Sequence, residues 1–310
     1  MLNWNLKNEK SAIEAIKLAA KMSGQYYKKP IQIAYSGGKD SDVLLDLALK
    51  SGVKLKVIHN LTTADAPETM YHVKNKFKKL KDLGVETEMK IAKDKNGKRI
   101  TMWNLIPQNK MPPTRRMRYC CSVFKETSGK NAIVLTGVRS KESAKRNERQ
   151  AFEIIGKTVK EAKRWGLNNA MEVYRDAQRM PEVYDCQLIV NAKKNKKIIV
   201  NPIVNWSDYD VWTYIRGNGI SYNPLYDEGF TRVGCIGCPL SGPKNMRKEF
   251  LRWPKYKKLY INAFNKMILE RKKAGLKCDW KSGDDVMRWW LKDDEIKGQL
   301  VFFEAMAERK

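Results

Sequence analysis

Apolar residues recur at helical spacing over residues 9–29, with Ile13, Ile16, Ala20 and Met22 on one side of the predicted helix. The period then changes. Ile31-Gln32-Ile33-Ala34-Tyr35 is short and β-prone and runs directly into Ser36-Gly37-Gly38-Lys39-Asp40-Ser41. A helical pattern resumes through Val43, Leu44, Leu47 and Ala48 and closes at Gly52, and Lys54 to His59 reads as a second strand. Strand, loop, helix and strand in that order open a parallel α/β sheet. Residues 69–83 predict a further helix, Val85 to Ile91 a strand, and Ala132 to Leu135 a short buried strand ending at Thr136-Gly137. Lys197 to Val200 leads into Asn201-Pro202-Ile203, and Ser207 to Gly217 predicts another helix. The stretch 141–185 is polar, with helical pieces such as Lys157 to Trp165, and reads as an insertion beside the sheet. Beyond Pro243 the pattern becomes helical and rich in lysine and aromatic residues. The expected division is therefore an α/β domain over 1–240 and a basic helical region over 241–310, with no internal repeat.

Composition adds partners to this picture. The chain has 61 Lys and Arg against 34 Asp and Glu, a formal charge of +27 over 310 residues. Such an excess concentrates anions such as nucleotides or a nucleic-acid backbone, although the lysines are scattered and also serve as a solvated surface. No apolar run reaches the roughly 18 residues of a membrane span. The start, Met1-Leu2-Asn3-Trp4-Asn5-Leu6-Lys7, has no apolar signal core. A cytoplasmic location without membrane partners is the expectation.

Two groups of residues carry candidate chemistry. In Ser36, Gly37, Gly38, Lys39, Asp40 and Ser41, the glycines let the backbone approach an anion closely, and the amides of the loop and of the next helix point at phosphate oxygens. The two serines add hydroxyl donors and Lys39 adds charge, while Asp40 suits a first helical turn. The spacing is not that of a Walker loop. The second group is cysteine. Four of the six cysteines are grouped, Cys120 with Cys121 and Cys235 with Cys238, which in a reducing compartment points to metal or redox work. Four thiolates suit a [4Fe–4S] cluster or a tetrahedral zinc, and adjacent cysteines are less typical of zinc. Cys186 and Cys278 stand alone. Arg115, Arg116 and Arg118 offer guanidinium forks for phosphate or sulfate, or a solvated basic loop.

The Ser36–Ser41 string resembles the PP-loop of ATP pyrophosphatases and sulfonucleotide reductases, which share an adenine nucleotide α-hydrolase-like sheet. Further stretches resemble the phosphoadenosine phosphosulfate (PAPS) reductase family: Thr62-Thr63 through Pro67-Glu68-Thr69, Gly137-Val138-Arg139-Ser140 to Ser143, Asn201-Pro202-Ile203 to Asp210-Val211-Trp212, and Asn223-Pro224-Leu225-Tyr226. Phage and gut-bacterial members share the Cys-Cys-x-x-x-Lys-Glu and Gly-Cys-Ile-Gly-Cys-Pro motifs found at Cys120–Glu126 and Gly234–Pro239. The paired cysteines are similar to those of adenylyl-sulfate (APS) reductases, although the spacing over 122–234 is longer than is usual there. The resemblance implies a [4Fe–4S] cluster on Cys120, Cys121, Cys235 and Cys238, with Lys125 acting between cluster and nucleotide. It implies an adenine nucleotide (PAPS, APS or ATP) held by Ser36–Ser41, Thr62, Thr63, Gly137 and Arg139, with Mg2+ if ATP is the substrate. It also implies reduction of PAPS or APS to sulfite with a thioredoxin or glutaredoxin donor. The alternative is ATP-dependent, pyrophosphate-releasing sulfur transfer to nucleic acid, as in phosphorothioation or tRNA thiolation.

One departure stands out. The family's catalytic cysteine lies in a C-terminal Glu-Cys-Gly-Leu-His motif, whereas this chain ends Phe302-Phe303-Glu304-Ala305-Met306-Ala307-Glu308-Arg309-Lys310. Cys278, next to Lys277, is the remaining late thiol, either a candidate nucleophile or a structural cysteine. The basic residues of 244–273, interleaved with Trp253 and Tyr260, read either as a DNA- or RNA-binding surface with stacking rings or as helices whose aromatics pack inward. Trp289-Trp290 reads as packing.

Overall fold

The structure, a computed structural model, describes residues 2–126, 129, 131–142, 146, 149, 151–155 and 197–292. Most of the predicted insertion at 141–185, including Lys157 to Trp165 and Ser143, lies outside the described residues, as do Cys186 and the terminus at 302–310. The chain divides into two compact units. The first comprises 1–61, 67–90 and 126–233; the second comprises 62–66, 91–125 and 234–310.

The first unit is a sheet with flanking helices. Its elements are α1 (Leu2–Met22), β1 (Ile31–Ala34), α2 (Lys39–Lys50), β2 (Leu55–Leu61), α3 (Pro67–Asp82) and β3 (Glu86–Ile91), followed after residue 126 by β4 (Ile133–Leu135), β5 (Phe152–Ile155), β6 (Lys197–Val200) and a helix at Asp208–Gly217. The strands lie in the order β3-β2-β1-β4-β6-β5. β1 pairs in parallel with β2 and β4, and β4 pairs in parallel with β6. The expected parallel α/β architecture is thus present. β5 runs antiparallel to β6, with Phe152 opposite Val200, inside the stretch read as a polar insertion. The opening helix starts earlier than its periodicity predicted and ends at Met22; a π-helical turn at Ser23–Tyr27 follows it.

The alternation of β1 explains its central position. Ile31 and Ile33 are fully buried, as are Ile133 and Leu135 on the neighbouring β4 and Val200 on β6 beyond it, and Val43, Leu44 and Leu47 of α2 and Ile16 and Ala19 of α1 join the same core. Burying each large aliphatic side chain contributes about 1.5–3 kcal/mol. The strand order reverses direction at β1, where the chain steps outward to β2 and β3 before returning to β4 on the other side. The carboxyl ends of two parallel strands that diverge in this way leave a crevice, which is where open α/β sheets take their ligands. The loops that leave β1 and β4 here are Ser36–Gly38 and the segment from Thr136 to Arg139.

The second unit is mainly helical: α4 (Met102–Asn109), α6 (Pro243–Arg252), α7 (Pro254–Lys273) and α8 (Gly283–Leu291), the helix at Asp208–Gly217 being α5. Thr101 caps α4, its hydroxyl accepting from the Asn104 amide at 3.3 Å. The centre is aromatic. Trp290 lies 4.9 Å from Tyr260 and 5.3 Å from Phe264, ring centroid to centroid, and its indole N–H donates to the Pro113 carbonyl at 2.6 Å. Such rings bring large buried area and edge-to-face attraction together. Trp253 and Tyr260 are buried while Lys244, Lys248, Arg252, Lys255, Lys257 and Lys258 are exposed. The rings read as possible base-stacking groups therefore pack within the unit, while these cations face outward. No helix among the described residues is long and apolar enough to cross a membrane.

Candidate functional site

The first unit holds the glycine loop. Gly37 has φ +76°, and a Cβ there would lie 2.9 Å from Val73 Cγ2 and 3.1 Å from Thr69 Cγ2, so only glycine lets the turn rest on α3. Asn223 fastens the same turn, its side-chain amide donating to the Gly37 carbonyl at 3.1 Å and to Thr69 Oγ1 at 3.0 Å. Ser41 closes the loop on itself: its hydroxyl donates to the Gly38 carbonyl at 2.7 Å and accepts from the Gly38 amide at 3.1 Å. Ser36 remains exposed. The Tyr226 hydroxyl accepts from the Lys39 amide at 3.0 Å, and burial pushes its pKa up.

Four charges meet at this loop. Lys39 Nζ lies 3.0 Å from Asp208 Oδ1 and 3.6 Å from Asp40 Oδ2. Arg139 donates from Nε to Asp40 Oδ1 at 2.6 Å and from Nη2 to Asp208 Oδ1 at 2.9 Å. Burial pushes the Asp208 carboxyl up, but the hydrogen bond and charge of Lys39, with those of Arg139, outweigh it and hold the pKa below the ordinary aspartate value. Gly137 explains how Arg139 gets there: a Cβ at that position would lie 2.9 Å from the Asp40 carbonyl, so the β4 loop lies directly against the start of α2. Beneath the loop, the fully buried Asp42 accepts from the Tyr35 hydroxyl at 2.6 Å and lies 3.0 Å from His72 Nε2 and 3.7 Å from Lys76 Nζ. Burial first, and then the Asp42 charge, raise the Tyr35 pKa.

The second unit holds the cysteines. Cys120 and Cys121 sit on a single helical turn, Tyr119–Cys121, that continues as a π turn through Ser122–Glu126. Tyr119 anchors that turn by donating to the Met111 carbonyl at 2.8 Å. The other pair is stitched by backbone to residues 62–66: Asp65 bridges Cys235, and the Ile236 amide donates to the Ala64 carbonyl at 2.7 Å. Between these cysteines, Gly237 has φ +70° and donates its amide to Glu249 Oε2 at 2.6 Å, and the Tyr260 hydroxyl donates to the Ile236 carbonyl at 2.9 Å. Arg115 joins the two loops by donating to the Pro239 carbonyl at 3.3 Å.

All four of these cysteines are free and half-buried, and they influence one another's ionisation. Cys120 and Cys121 are joined by a side-chain hydrogen bond. The hydrogen bond from Cys120 lowers the Cys121 pKa to about 5, helped by Lys125 and Arg118, while the same bond and burial push Cys120 up. The charges of Cys235, Cys238, Cys121 and Asp65 hold the Lys125 ammonium above the usual lysine range against desolvation. Desolvation raises the Cys235 pKa, and its thiol donates to Thr62 Oγ1 at 3.4 Å. Among the described residues, no three His, Cys, Asp or Glu side chains form a ready-made metal-holding set. The donor chemistry nevertheless fits a four-thiolate group, because four free thiols come from two loops joined by Arg115.

Several expected site residues have other partners. Thr62 belongs to the second unit, where its hydroxyl and amide bond Asp65 at 2.8 Å, and the Thr63 hydroxyl accepts from the Met102 amide at 2.8 Å. The Cys278 thiol faces the Trp280 carbonyl at 3.7 Å, and Arg271 secures that loop by bonding the Lys110 and Lys277 carbonyls. Asp208, Asn223, Tyr226, Asp42 and His72 entered no predicted site. Asn223 and Tyr226 stood in a motif without a role, and nothing about Asp208, Asp42 or His72 in the sequence marked a contact with the loop.

The family profile described as the phosphoadenosine phosphosulfate reductase domain matches residues 30–241. An uncharacterized protein of Methanocaldococcus jannaschii is 28% identical over 317 aligned positions, covering 98% of this chain and 63% of its own length. A second protein from the same organism is matched over 40% of its length, so the chain spans less than two thirds of both relatives. The adenosine 5'-phosphosulfate reductase of Neisseria meningitidis serogroup A is 45% identical over 55 residues, 17% of this chain and 22% of that protein. The PAPS reductase of Candida auris, solved as a phosphate complex, aligns with a TM-score of 0.44 at 17% identity, over 73% of this chain and 88% of that one. With the profile covering well over half of its length, this chain belongs to the PAPS reductase domain family.

Proposed function

We propose that the chain is a sulfonucleotide reductase that converts PAPS or APS to sulfite and the corresponding adenosine phosphate, with a [4Fe–4S] cluster on Cys120, Cys121, Cys235 and Cys238. What supports this reading is that four free thiols from two remote stretches lie close enough to influence one another's ionisation, with Cys121, Cys235 and Cys238 also acting on Lys125, in a chain of this family. The glycine loop supports the nucleotide half. Its amides and the serine hydroxyls suit phosphate oxygens, and Lys39 and Arg139 suit the charge of phosphate or sulfate. When bound, the cluster supplies a charged, electron-accepting centre held by thiolates. Lys125 holds its proton beside those sulfurs and offsets their charge. In the reduction, a thiol sulfur attacks the sulfuryl sulfur and the bond to the adenosine phosphate oxygen breaks. A second thiol from a thioredoxin or glutaredoxin donor then releases sulfite and leaves a disulfide. Cys278 is the thiol proposed for the attack. Sulfite release from PAPS or APS with such a donor tests the reading; none from cluster-loaded protein refutes it.

The outward cations of α6 and α7 favour a second reading, ATP-dependent sulfur transfer to a nucleic acid held on that face. Its signature is pyrophosphate release from Mg·ATP that requires added DNA or RNA.

A further inference from the structure

We propose that Asp208 is an internal competitor for the anion that the glycine loop binds, its carboxylate standing where an oxygen of a phosphoryl or sulfuryl group would stand. This rests on the reading of the Ser36–Ser41 loop as a nucleotide site. One oxygen, Asp208 Oδ1, accepts from both Lys39 Nζ at 3.0 Å and Arg139 Nη2 at 2.9 Å. Two convergent cationic donors on one oxygen are the arrangement used to recognise an oxyanion.

The exposures decide which partner yields. The Lys39 and Arg139 side chains are 7% and 4% exposed, whereas that of Asp208 is 62% exposed. The cations are fixed in the protein and the carboxylate is the group that can swing into water. Asp40, only 17% exposed, bonds both cations from the other side, through Oδ1 to Arg139 and Oδ2 to Lys39. It keeps them aimed when Asp208 departs. Tyr226 also stays, because its ring packs 5.3 Å from Trp212 while its hydroxyl holds the Lys39 amide. With Asp208 in place, the two cations Lys39 and Arg139 face two carboxylates, Asp40 and Asp208. With Asp208 displaced, one positive charge is uncovered for the incoming anion.

Asp208 is placed to do this by the start of α5. Ser207 caps that helix, accepting from the Asp210 amide at 3.1 Å while Asp210 Oδ2 accepts from the Ser207 amide at 2.7 Å. The Trp206 carbonyl accepts from Arg139 Nη1 at 3.4 Å and ties the same corner to the arginine. Asp208 is the first residue of α5, and its exposed side chain can turn into water without moving the helix. The device would set how much anionic charge a ligand must bring: a single phosphate competes poorly with Asp208, whereas a polyphosphate or phosphosulfate competes well.

The test uses the full chain and two probes, ATP in the absence of divalent cations and inorganic phosphate, with affinities measured by calorimetry at low and moderate salt. Asp208→Asn keeps the size of the side chain and removes its charge. It is expected to bind ATP about tenfold more tightly at low salt, with a smaller gain at higher ionic strength, where the competing pair is screened. In the Lys39→Gln background the same substitution is expected to give a much smaller gain, which separates competition at the lysine from a change in folding. Unchanged or weaker ATP binding by Asp208→Asn would overturn the proposal. If neither the natural chain nor Asp208→Asn binds ATP or phosphate, the reading of the loop fails first and the proposal falls with it.

Discussion

Replacing Gly237 by alanine isolates the feature that shapes the second cysteine pair. At φ +70° an alanine is held in the left-handed region, which costs about 1–2 kcal/mol. Its Cβ would also lie 2.6 Å from Phe250 Cζ and 3.0 Å from Tyr260 Cε2. Both rings are buried, at 4% and 1% exposure, so neither can swing aside into solvent. Overpacking of this kind adds about 1–3 kcal/mol. The total expected loss is about 2–5 kcal/mol. Gly275 is the control, because it has φ +65° and no heavy atom within 4 Å of a built Cβ; its alanine variant carries the backbone cost alone. Urea denaturation followed by the fluorescence of Trp253, Trp280 and Trp290 reads both variants in the unit they share. If the proposed cluster is held by Cys235 and Cys238, Gly237→Ala should also lose iron before it unfolds, since the turn between those cysteines must open. If the two variants differ by less than about 0.5 kcal/mol, the argument that this glycine is required by the packed rings is wrong.

Three further outcomes are expected. Asp42→Asn leaves His72 and Lys76 facing a neutral group in a buried pocket and should cost about 3 kcal/mol, measurable by urea denaturation; a loss below about 1 kcal/mol would make the pair dispensable. Trp290→Ala empties the aromatic centre of the second unit and leaves the Pro113 carbonyl without its donor, so a loss of about 3–5 kcal/mol is expected in the same experiment. Lys39→Gln should weaken ATP binding about tenfold or more in a folded chain; unchanged affinity in calorimetry would remove Lys39 from the anion site.

What could be read beforehand depended on how local the signal was. Ile31 to Ala48 carries its own evidence, because a two-residue period changes to a helical one across two glycines, and β1, the loop and α2 follow it closely. Parallel pairing followed from the strand–helix–strand order. Other elements are decided by partners far along the chain. α4 is short and contains Pro107, so its pattern is weak, and it packs on α7, more than a hundred residues later. Short β5 exists through its antiparallel register with β6. At the site, the glycine string is self-evident, but the carboxylate opposite Lys39 belongs to residue 208 and the hydroxyl on its amide to residue 226. Aspartate at a helix start reads as a helix-stabilising charge and nothing more. Asp42 and His72 likewise look like ordinary helix residues until α2 and α3 bring them to 3.0 Å. The placement of Thr62–Ala66 with the cysteines is equally non-local, since it follows from a backbone bridge between Asp65 and Cys235.

Iron and acid-labile sulfide per chain, determined after anaerobic purification of the natural chain and of the serine variants of Cys120, Cys121, Cys235 and Cys238, test the central claim most directly. The account predicts about four of each per natural chain and loss of both in every one of those variants, with Cys278→Ser unaffected. One zinc per chain, or four alkylatable thiols and no metal, would contradict it.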